Sequence, residues 1–314
     1  MTARPWFPAV LLLAAAMVAG LISLGAGDGW INPFSPASAL EQTILWDLRL
    51  PRILTAFAVG GLLALAGAWF QVLLVNPLAE PYVLGVAGSS AVGAICGIAF
   101  MPQSVWAVSA GAFAGAWIGI AAILAFAHLG PARLLLAGVV LAAFWGACVA
   151  LLLALLPARQ LGMAFGWLMG DLSASAIPVT ALLLTWVVAL ACGMALARSL
   201  DMLLLGEAHA VALGADIRRL RLLLLLLASA VTSVAVAAAG TIGFVGLVVP
   251  HMMRLMFGSL HRMLLPASAV GGGMLLVLAD AGARTVMAPA ELPVGVITAL
   301  IGVPVFLWLL LRRG

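Results

Sequence analysis

Two arginines flank a proline at the start of an apolar segment, in Arg49-Leu50-Pro51-Arg52, and a third, Arg284, stands at the end of a later one. A guanidinium group keeps its charge at any physiological pH and can bind a carboxylate through two parallel hydrogen bonds. The three side chains could therefore form a docking surface for an acidic partner. Structural anchoring is the alternative, with Arg284 pairing to Asp280 four residues earlier on a helix. The residues by themselves leave both interpretations open.

The longest polar stretch covers residues 198–221, and within it Gly206 and Gly214 bracket a helix-sized piece that carries Glu207. This pattern predicts a short helix lying across one face of the protein, where it could contact a partner. A connecting loop that needs only polarity is an equally good interpretation.

A rigid turn is predicted at Asn76-Pro77-Leu78-Ala79-Glu80-Pro81, because a helix cannot continue through the two prolines. The turn could border a pore, and a purely structural turn is the alternative. Residues 159–173 predict a further short helix, in which Phe165 and Trp167 would lie at a membrane interface, as a gate or as a simple anchor.

No arrangement of residues typical of an enzyme is found along the sequence. The four histidines show no HExxH or similar ligand spacing, and the three cysteines lie singly in apolar runs. The phosphate loop GxxxxGK followed by Ser or Thr is also missing from the sequence. We therefore predict that the chain is not an enzyme and that it binds no cofactor itself. If ATP powers it, a separate chain holds the ATP and its magnesium.

Composition predicts the elements that position these residues. Hydrophobic residues are 66% and charged residues 8% of the chain, and mean hydropathy is +1.28, too apolar for a soluble domain. In hydrocarbon a spanning segment must be a helix of about 20 residues that satisfies its own backbone. The pattern predicts an all-α integral membrane protein with one domain over residues 1–314. About ten spans lie near residues 9–27, 53–75, 82–101, 104–127, 134–156, 177–197, 220–239, 241–257, 263–283 and 294–311.

Arginine placement predicts the orientation in the membrane. An even number of spans puts both termini on one side, and ten arginines fall on that side, which the positive-inside rule makes cytoplasmic. The other four, Arg49, Arg52, Arg159 and Arg284, then face outward. Positive charge is disfavoured there, so these arginines are exceptions that need a reason.

Five stretches in one order resemble the FecCD-type permease family, which imports cobalamin, haem and ferric siderophores, and above all its cobalamin-importing members. They are residues 49–52, residues 76–85 with Tyr82-Val83-Leu84-Gly85-Val86, residues 206–214, Gly243-Phe244-Val245-Gly246-Leu247-Val248-Val249-Pro250-His251 and Glu291-Leu292-Pro293-Val294-Gly295. The similarity covers roughly residues 46–312. Any one stretch would be weak, and the shared order makes the resemblance specific.

The resemblance implies the type II ABC importer permease fold in the inner membrane of a bacterium. It implies a complex of two copies of this chain, two ATPase subunits and a periplasmic binding protein, and no nucleic acid partner. It assigns binding-protein docking to Arg49, Arg52 and Arg284, ATPase contact to Gly206, Glu207, Ala210, Leu213 and Gly214 in a coupling loop at about residues 199–219, and a cytoplasmic gate to Asn76 and Leu78.

The predicted function is therefore a permease that translocates a metal chelate while ATP is hydrolysed on a partner subunit. One departure concerns the inner gate, where relatives can carry hydroxyl residues and this chain has Pro131-Ala132; the position of that loop is transferred, but not its chemistry. The alternative is an ion-coupled secondary transporter, which usually needs carboxylates at mid-depth. Asp280 alone comes near that requirement. The motifs do not choose among cobalamin, haem and siderophores.

Overall fold

The computed structural model describes residues 6–173, 175–212, 214 and 216–311, and every regular element in these residues is helical. The α-helices are α1 (Trp6–Gly25), α2 (Ala39–Thr43), α3 (Leu50–Leu73), α4 (Val86–Phe100), α5 (Val105–Leu124), α6 (Pro131–Leu155), α7 (Ala158–Leu168), α8 (Val179–Leu204), α9 (Glu207–Ala212), α10 (Ile217–Ala239), α11 (Val245–Phe257), α12 (His261–Thr285) and α13 (Val294–Leu311). A π-helix, Ile44–Arg49, joins α2 to α3, and 3₁₀ turns lie at Pro81–Leu84 and Ala127–Leu129.

Seven helical segments of the described residues are long and apolar enough to cross a membrane. One of them runs from α2 through the π-helix into α3, over Ala39–Leu73. Three shorter apolar helices, α4, α11 and Val294–Trp308 within α13, complete the set of ten. The prediction of an all-α membrane protein with about ten such helices is confirmed, and the short helix expected within residues 159–173 is α7.

The α3 helix forms the centre of the bundle, with 89% of its apolar window buried, against 11% for α6 and 17% for α8. Small residues let helix backbones meet where hydrocarbon gives helices no hydrophobic reason to associate. A methyl group on Gly60 would collide with the Gly272 carbonyl of α12, and one on Gly67 with the Gly246 carbonyl of α11. The apolar surfaces of α6 and α8 are left for lipid or another protein to cover.

The bundle has two ends that carry its polar groups. The arginine end, as we call it, comprises the end of α1, the start of α3, the end of α12 and the start of α13, where Arg49, Arg52 and Arg284 meet. The loop end comprises the turn at residues 74–80, the segment at residues 125–130, α9 and the start of α10.

Two helices are shorter than their predicted spans because the backbone leaves helical geometry inside the bundle. The 13 residues of α11 rise about 20 Å, against a hydrocarbon thickness of about 30 Å. Its predicted span began at residue 241, but residues 240–244 are not helical, and both Gly240 and Phe244 have a positive φ, of 69° and 68°. Likewise, α4 begins only at Val86, after a turn at residues 74–80 and the 3₁₀ turn at Pro81–Leu84. Such backbone is tolerated in a membrane protein where other protein groups satisfy it.

Candidate functional site

The arginine end brings together three arginines that the sequence separates by up to 235 residues. The π-helix that ends at Arg49 leads into α3. Pro51, in the first turn of α3, has no N–H to donate to the carbonyl four residues earlier, so the change of helix type occurs where one backbone hydrogen bond is missing in any case. Arg49 and Arg52 therefore lie on one continuous helical segment at this end of the bundle. The last turn of α12, which contains Arg284, lies beside them.

Arg284 is buried and fully engaged within the chain, with only 5% of its surface exposed. Its Nε donates to Asp280 Oδ2 at 2.9 Å, one turn earlier on α12. Its Nη atoms donate to the Ala26 carbonyl at 2.6 Å and to the Ser23 carbonyl and hydroxyl at 2.9 and 2.8 Å. A cation that binds the free carbonyls at a helix C-terminus stabilises that end. Arg284 therefore ties α1 to α12.

Arg49 also binds the end of α1, but it keeps more contact with solvent. Its Nη1 donates to the carbonyls of Leu24 at 3.0 Å and Gly25 at 2.8 Å. A methyl group on Gly27 would collide with the guanidinium group, so this glycine makes room for it. Arg49 is half-buried and leaves part of its charged group facing outward.

Arg52 bridges two carboxylates from the other end of the sequence. Its Nε contacts Asp280 Oδ1 and its Nη1 contacts Glu291 Oε2, both at 2.8 Å. The Asp280 side chain is 0% exposed, whereas that of Glu291 is 48% exposed. Asp280 thus accepts from two arginines at once, Arg52 and Arg284, in an environment where an unpaired charge would be strongly destabilising.

An open cleft of about 690 Å³ lies over these groups. Its charged lining consists of the three arginines together with Asp28, Glu41 and Glu291. Arg49 and Arg52 offer guanidinium groups that a carboxylate could reach from the cleft, while Arg284 lies beneath them and holds the helices. The structure brings the three predicted residues together, and their role in docking stays a prediction.

At the loop end, the segment between Gly206 and Gly214 forms the short helix that was predicted, α9. Gly206 and Gly214 flank α9 with left-handed φ angles of 95° and 85°, which a residue with a Cβ adopts at a cost. Glu207 begins the helix, Ala210 is fully buried and Val211 is 60% exposed. Leu213 lies outside the described residues. Contact of this segment with an ATPase stays a prediction.

Asn76 and Leu78 lie in a tight turn, as the two prolines predicted. The side-chain oxygen of Asn76 accepts from the Leu78 N–H at 2.9 Å, and the Asn76 carbonyl accepts from the Ala79 N–H at 3.1 Å. Leu78 is 40% exposed at the loop end. The turn is therefore held by its own polar groups and presents an apolar side chain, and a gating role stays a prediction.

The sequence motifs predict no role for Glu80, at the end of this turn, or for Tyr82, which follows it. The Glu80 carboxylate accepts from the Phe244 N–H, and the Tyr82 hydroxyl accepts from the Ile242 N–H at 2.7 Å. They satisfy N–H groups of the non-helical backbone between α10 and α11, about 160 residues away. Glu80 could have been noticed as a single carboxylate between two prolines in an apolar chain. By sequence, only Asp280 was considered as a carboxylate near the membrane interior.

The connection between α10 and α11 is also hydrogen-bonded to the end of α7 and the segment that follows it, and that segment is bonded to the start of α13. The Thr241 hydroxyl donates to the Leu168 carbonyl, and the Asp171 N–H donates to the Ala239 carbonyl at 2.9 Å. The Val294 N–H in turn donates to the Gly170 carbonyl at 3.2 Å. A chain of hydrogen bonds therefore connects the turn at the loop end with the connection leading into α13.

A second recess, of about 860 Å³, opens at the loop end. Its lining includes His128, Pro131, Arg218 and Arg221, with Val211 of α9 at one side. Pro131, the first residue of α6, thus borders the recess. Within the described residues, no group of three or more His, Cys, Asp or Glu side chains is arranged to hold a metal ion.

A sequence model of the FecCD transport family matches residues 9–312. The vitamin B12 import system permease proteins BtuC of Vibrio cholerae and Salmonella typhi are 42% and 40% identical to this chain. These matches cover 96% and 98% of this chain and 93% and 95% of the two relatives.

Solved structures are similar over most of the chain as well. A metal-chelate type ABC transporter in an inward-facing conformation matches with a TM-score of 0.87 and 32% identity, over 98% of this chain and 100% of that one. PsaBC from Streptococcus pneumoniae, in complex with Fab, shares the fold at a TM-score of 0.60 and 18% identity, over 85% of this chain and 92% of that one.

Proposed function

The chain belongs to the FecCD transport family, and on that premise we propose that it carries vitamin B12 across the inner membrane of a bacterium. As a member of this family it is the permease subunit of an ABC importer for metal chelates, and ATP is hydrolysed on a separate subunit. This membership replaces the alternative of an ion-coupled secondary transporter. The choice of cargo rests on one observation: relatives at about 40% identity over nearly the whole chain are vitamin B12 import permeases.

The proposed orientation places the arginine end in the periplasm and the loop end, with both termini, in the cytoplasm. It is supported by the ten arginines that fall on the side of the termini, against four on the other side. A periplasmic binding protein would then dock over the cleft, with carboxylates reaching Arg49 and Arg52 while Arg284 holds the helices beneath them. Charge complementarity of this kind guides both encounter and register of two proteins.

The proposed assembly contains two copies of this chain and two ATPase subunits. The apolar surfaces of α6 and α8, of which the bundle buries only 11% and 17%, are suited to a second copy and to lipid. The loop end offers α9 to an ATPase subunit, which would bind the ATP and magnesium that this chain does not. The proposed gate at Asn76 and Leu78 lies at the same end of the bundle as α9. An ATPase that moves α9 would therefore act close to this turn.

Uptake by the reconstituted complex tests this function. The permease would be purified with its ATPase and binding protein, placed in liposomes with ATP on the ATPase side, and offered vitamin B12, haem or a ferric siderophore. We expect ATP-dependent accumulation of vitamin B12 alone, and none with a non-hydrolysable ATP analogue. Accumulation of haem or siderophore without vitamin B12 would overturn the cargo and leave the permease function intact.

A further inference from the structure

We propose that Glu291 is an internal competitor for docking, whose carboxylate occupies the exposed side of Arg52 until a carboxylate of the binding protein displaces it. The inference rests on the docking role proposed for Arg52. It adds a residue of this chain that sets the affinity for the acidic partner.

The two carboxylates on Arg52 differ in their accessibility. Asp280 is fully buried and receives a second hydrogen bond from Arg284, so it cannot leave without breaking two ion pairs. Glu291 is half exposed at the wall of the cleft and accepts from Arg52 Nη1 at 2.8 Å. A partner that approaches Arg52 from solvent therefore meets the bond to Glu291 first.

The backbone beside Glu291 is anchored, so its side chain can leave Arg52 by rotation. The next residue, Leu292, donates its N–H to the Ala283 carbonyl at 2.9 Å, and Val294 donates to the Gly170 carbonyl at 3.2 Å. Residues 285–291 themselves are exposed. Displacement of the carboxylate thus requires no movement of α12 or α13.

The charges favour exchange of one carboxylate for another. Two arginines and one aspartate, Arg52, Arg284 and Asp280, sum to +1, and Glu291 brings the cluster to zero. A half-exposed ion pair of this type changes an equilibrium constant by less than about 5-fold, so a partner can displace it at little cost. Because only an acidic group can take the place of the Glu291 carboxylate on Arg52, the exchange favours acidic partners over neutral ones.

Glu291→Gln tests the proposal in the full-length permease, assembled with its ATPase in lipid nanodiscs. Binding of the purified binding protein would be measured by biolayer interferometry at constant ionic strength. Because the amide competes less well for the guanidinium group, we expect the Kd to fall about 3-fold. Glu41→Gln is the matched control, since Glu41 lines the same cleft but accepts from the Ala37 N–H instead of an arginine.

Three results would overturn the proposal: an unchanged Kd for Glu291→Gln, a higher Kd, or an equal fall for Glu41→Gln, which would indicate only general charge repulsion. The variant Arg52→Gln tests the docking role of Arg52 separately from the competitor role of Glu291. In that background Glu291→Gln should change the Kd by less than about 1.5-fold, because the two residues act through one contact. If Arg52→Gln itself binds like the wild type, the docking role of Arg52 fails and the competitor role fails with it; if only Glu291→Gln is silent, docking stands.

Discussion

The two polar ends of the bundle are built in opposite ways. At the arginine end, Arg52 and Arg284 are bound to carboxylates and carbonyls of the same chain, around an Asp280 that is fully buried. At the loop end, α9 is a six-residue helix between two glycines whose Cβ positions would meet open space. The first surface is organised before any partner arrives, whereas the second consists of a short helix with open space beside both flanking glycines.

The difference indicates what each partner would have to contribute. A preorganised surface loses little conformational freedom on binding, so its affinity depends on charge and shape. A helix of six residues is too short to be stable by itself, and short elements of this kind belong to the part of a protein that opens at low free energy. We interpret the arginine end as a fixed receptor and α9 as a movable element.

The largest expected effect is a loss of protein stability when a buried charge at the arginine end is removed. Asp280→Asn removes the charge that the buried guanidinium group of Arg284 and the partly buried one of Arg52 share, and it should lower the free energy of unfolding by about 3 kcal/mol. The measurement is denaturation of the purified permease in detergent. A loss below about 1 kcal/mol would contradict the view that the arginine end is held by this carboxylate.

A second prediction concerns docking at the arginine end. Arg52→Glu should raise the Kd for the binding protein at least about 10-fold, because it reverses a charge in the centre of the cleft. Arg159→Glu on α7 is the control, since Arg159 is exposed and outside the cleft lining. If both variants weaken binding equally, overall charge and not this site attracts the partner.

The third prediction addresses the movable element. Gly206→Ala combined with Gly214→Ala forces two residues with a Cβ into left-handed φ, at about 1 kcal/mol each. We expect ATP-driven uptake in liposomes to fall about 5-fold while binding-protein affinity stays unchanged. Gly20→Ala on α1 serves as the control, because a methyl group there meets no atom within 4 Å and φ is ordinary. Uptake like the wild type would refute a coupling role for α9.

The smallest effect is expected when an exposed carboxylate at the loop end is neutralised in the way that Asp280→Asn neutralises a buried one at the arginine end. Asp216→Asn retains an oxygen that can accept from the Arg219 N–H at the start of α10 and removes only an exposed ion pair. The free energy of unfolding should change by less than about 0.5 kcal/mol in the same denaturation measurement. A loss comparable to that of Asp280→Asn would remove the distinction between the ends.

Much of the architecture was predictable because each membrane helix satisfies its own backbone. The long apolar runs therefore predicted ten helices, and Gly206, Gly214 and the prolines near Asn76 predicted the local turns correctly. The i,i+4 pairing of Arg284 with Asp280 was also within reach of sequence, as helical spacing brings the two together. The beginning of α11 at Val245 was not, because the apolar run continues across the break at residues 240–244.

Sequence by itself determined the class of the protein and its family, since hydropathy and motif order are local properties of the chain. Only the tertiary structure decided that Arg52 reaches Asp280 and Glu291, and that Glu80 and Tyr82 satisfy the backbone of residues 240–244. These contacts join residues 160 to 239 positions apart. They depend on which helix faces meet, and that is set by the fit of small residues such as Gly60 and Gly67 against their neighbours.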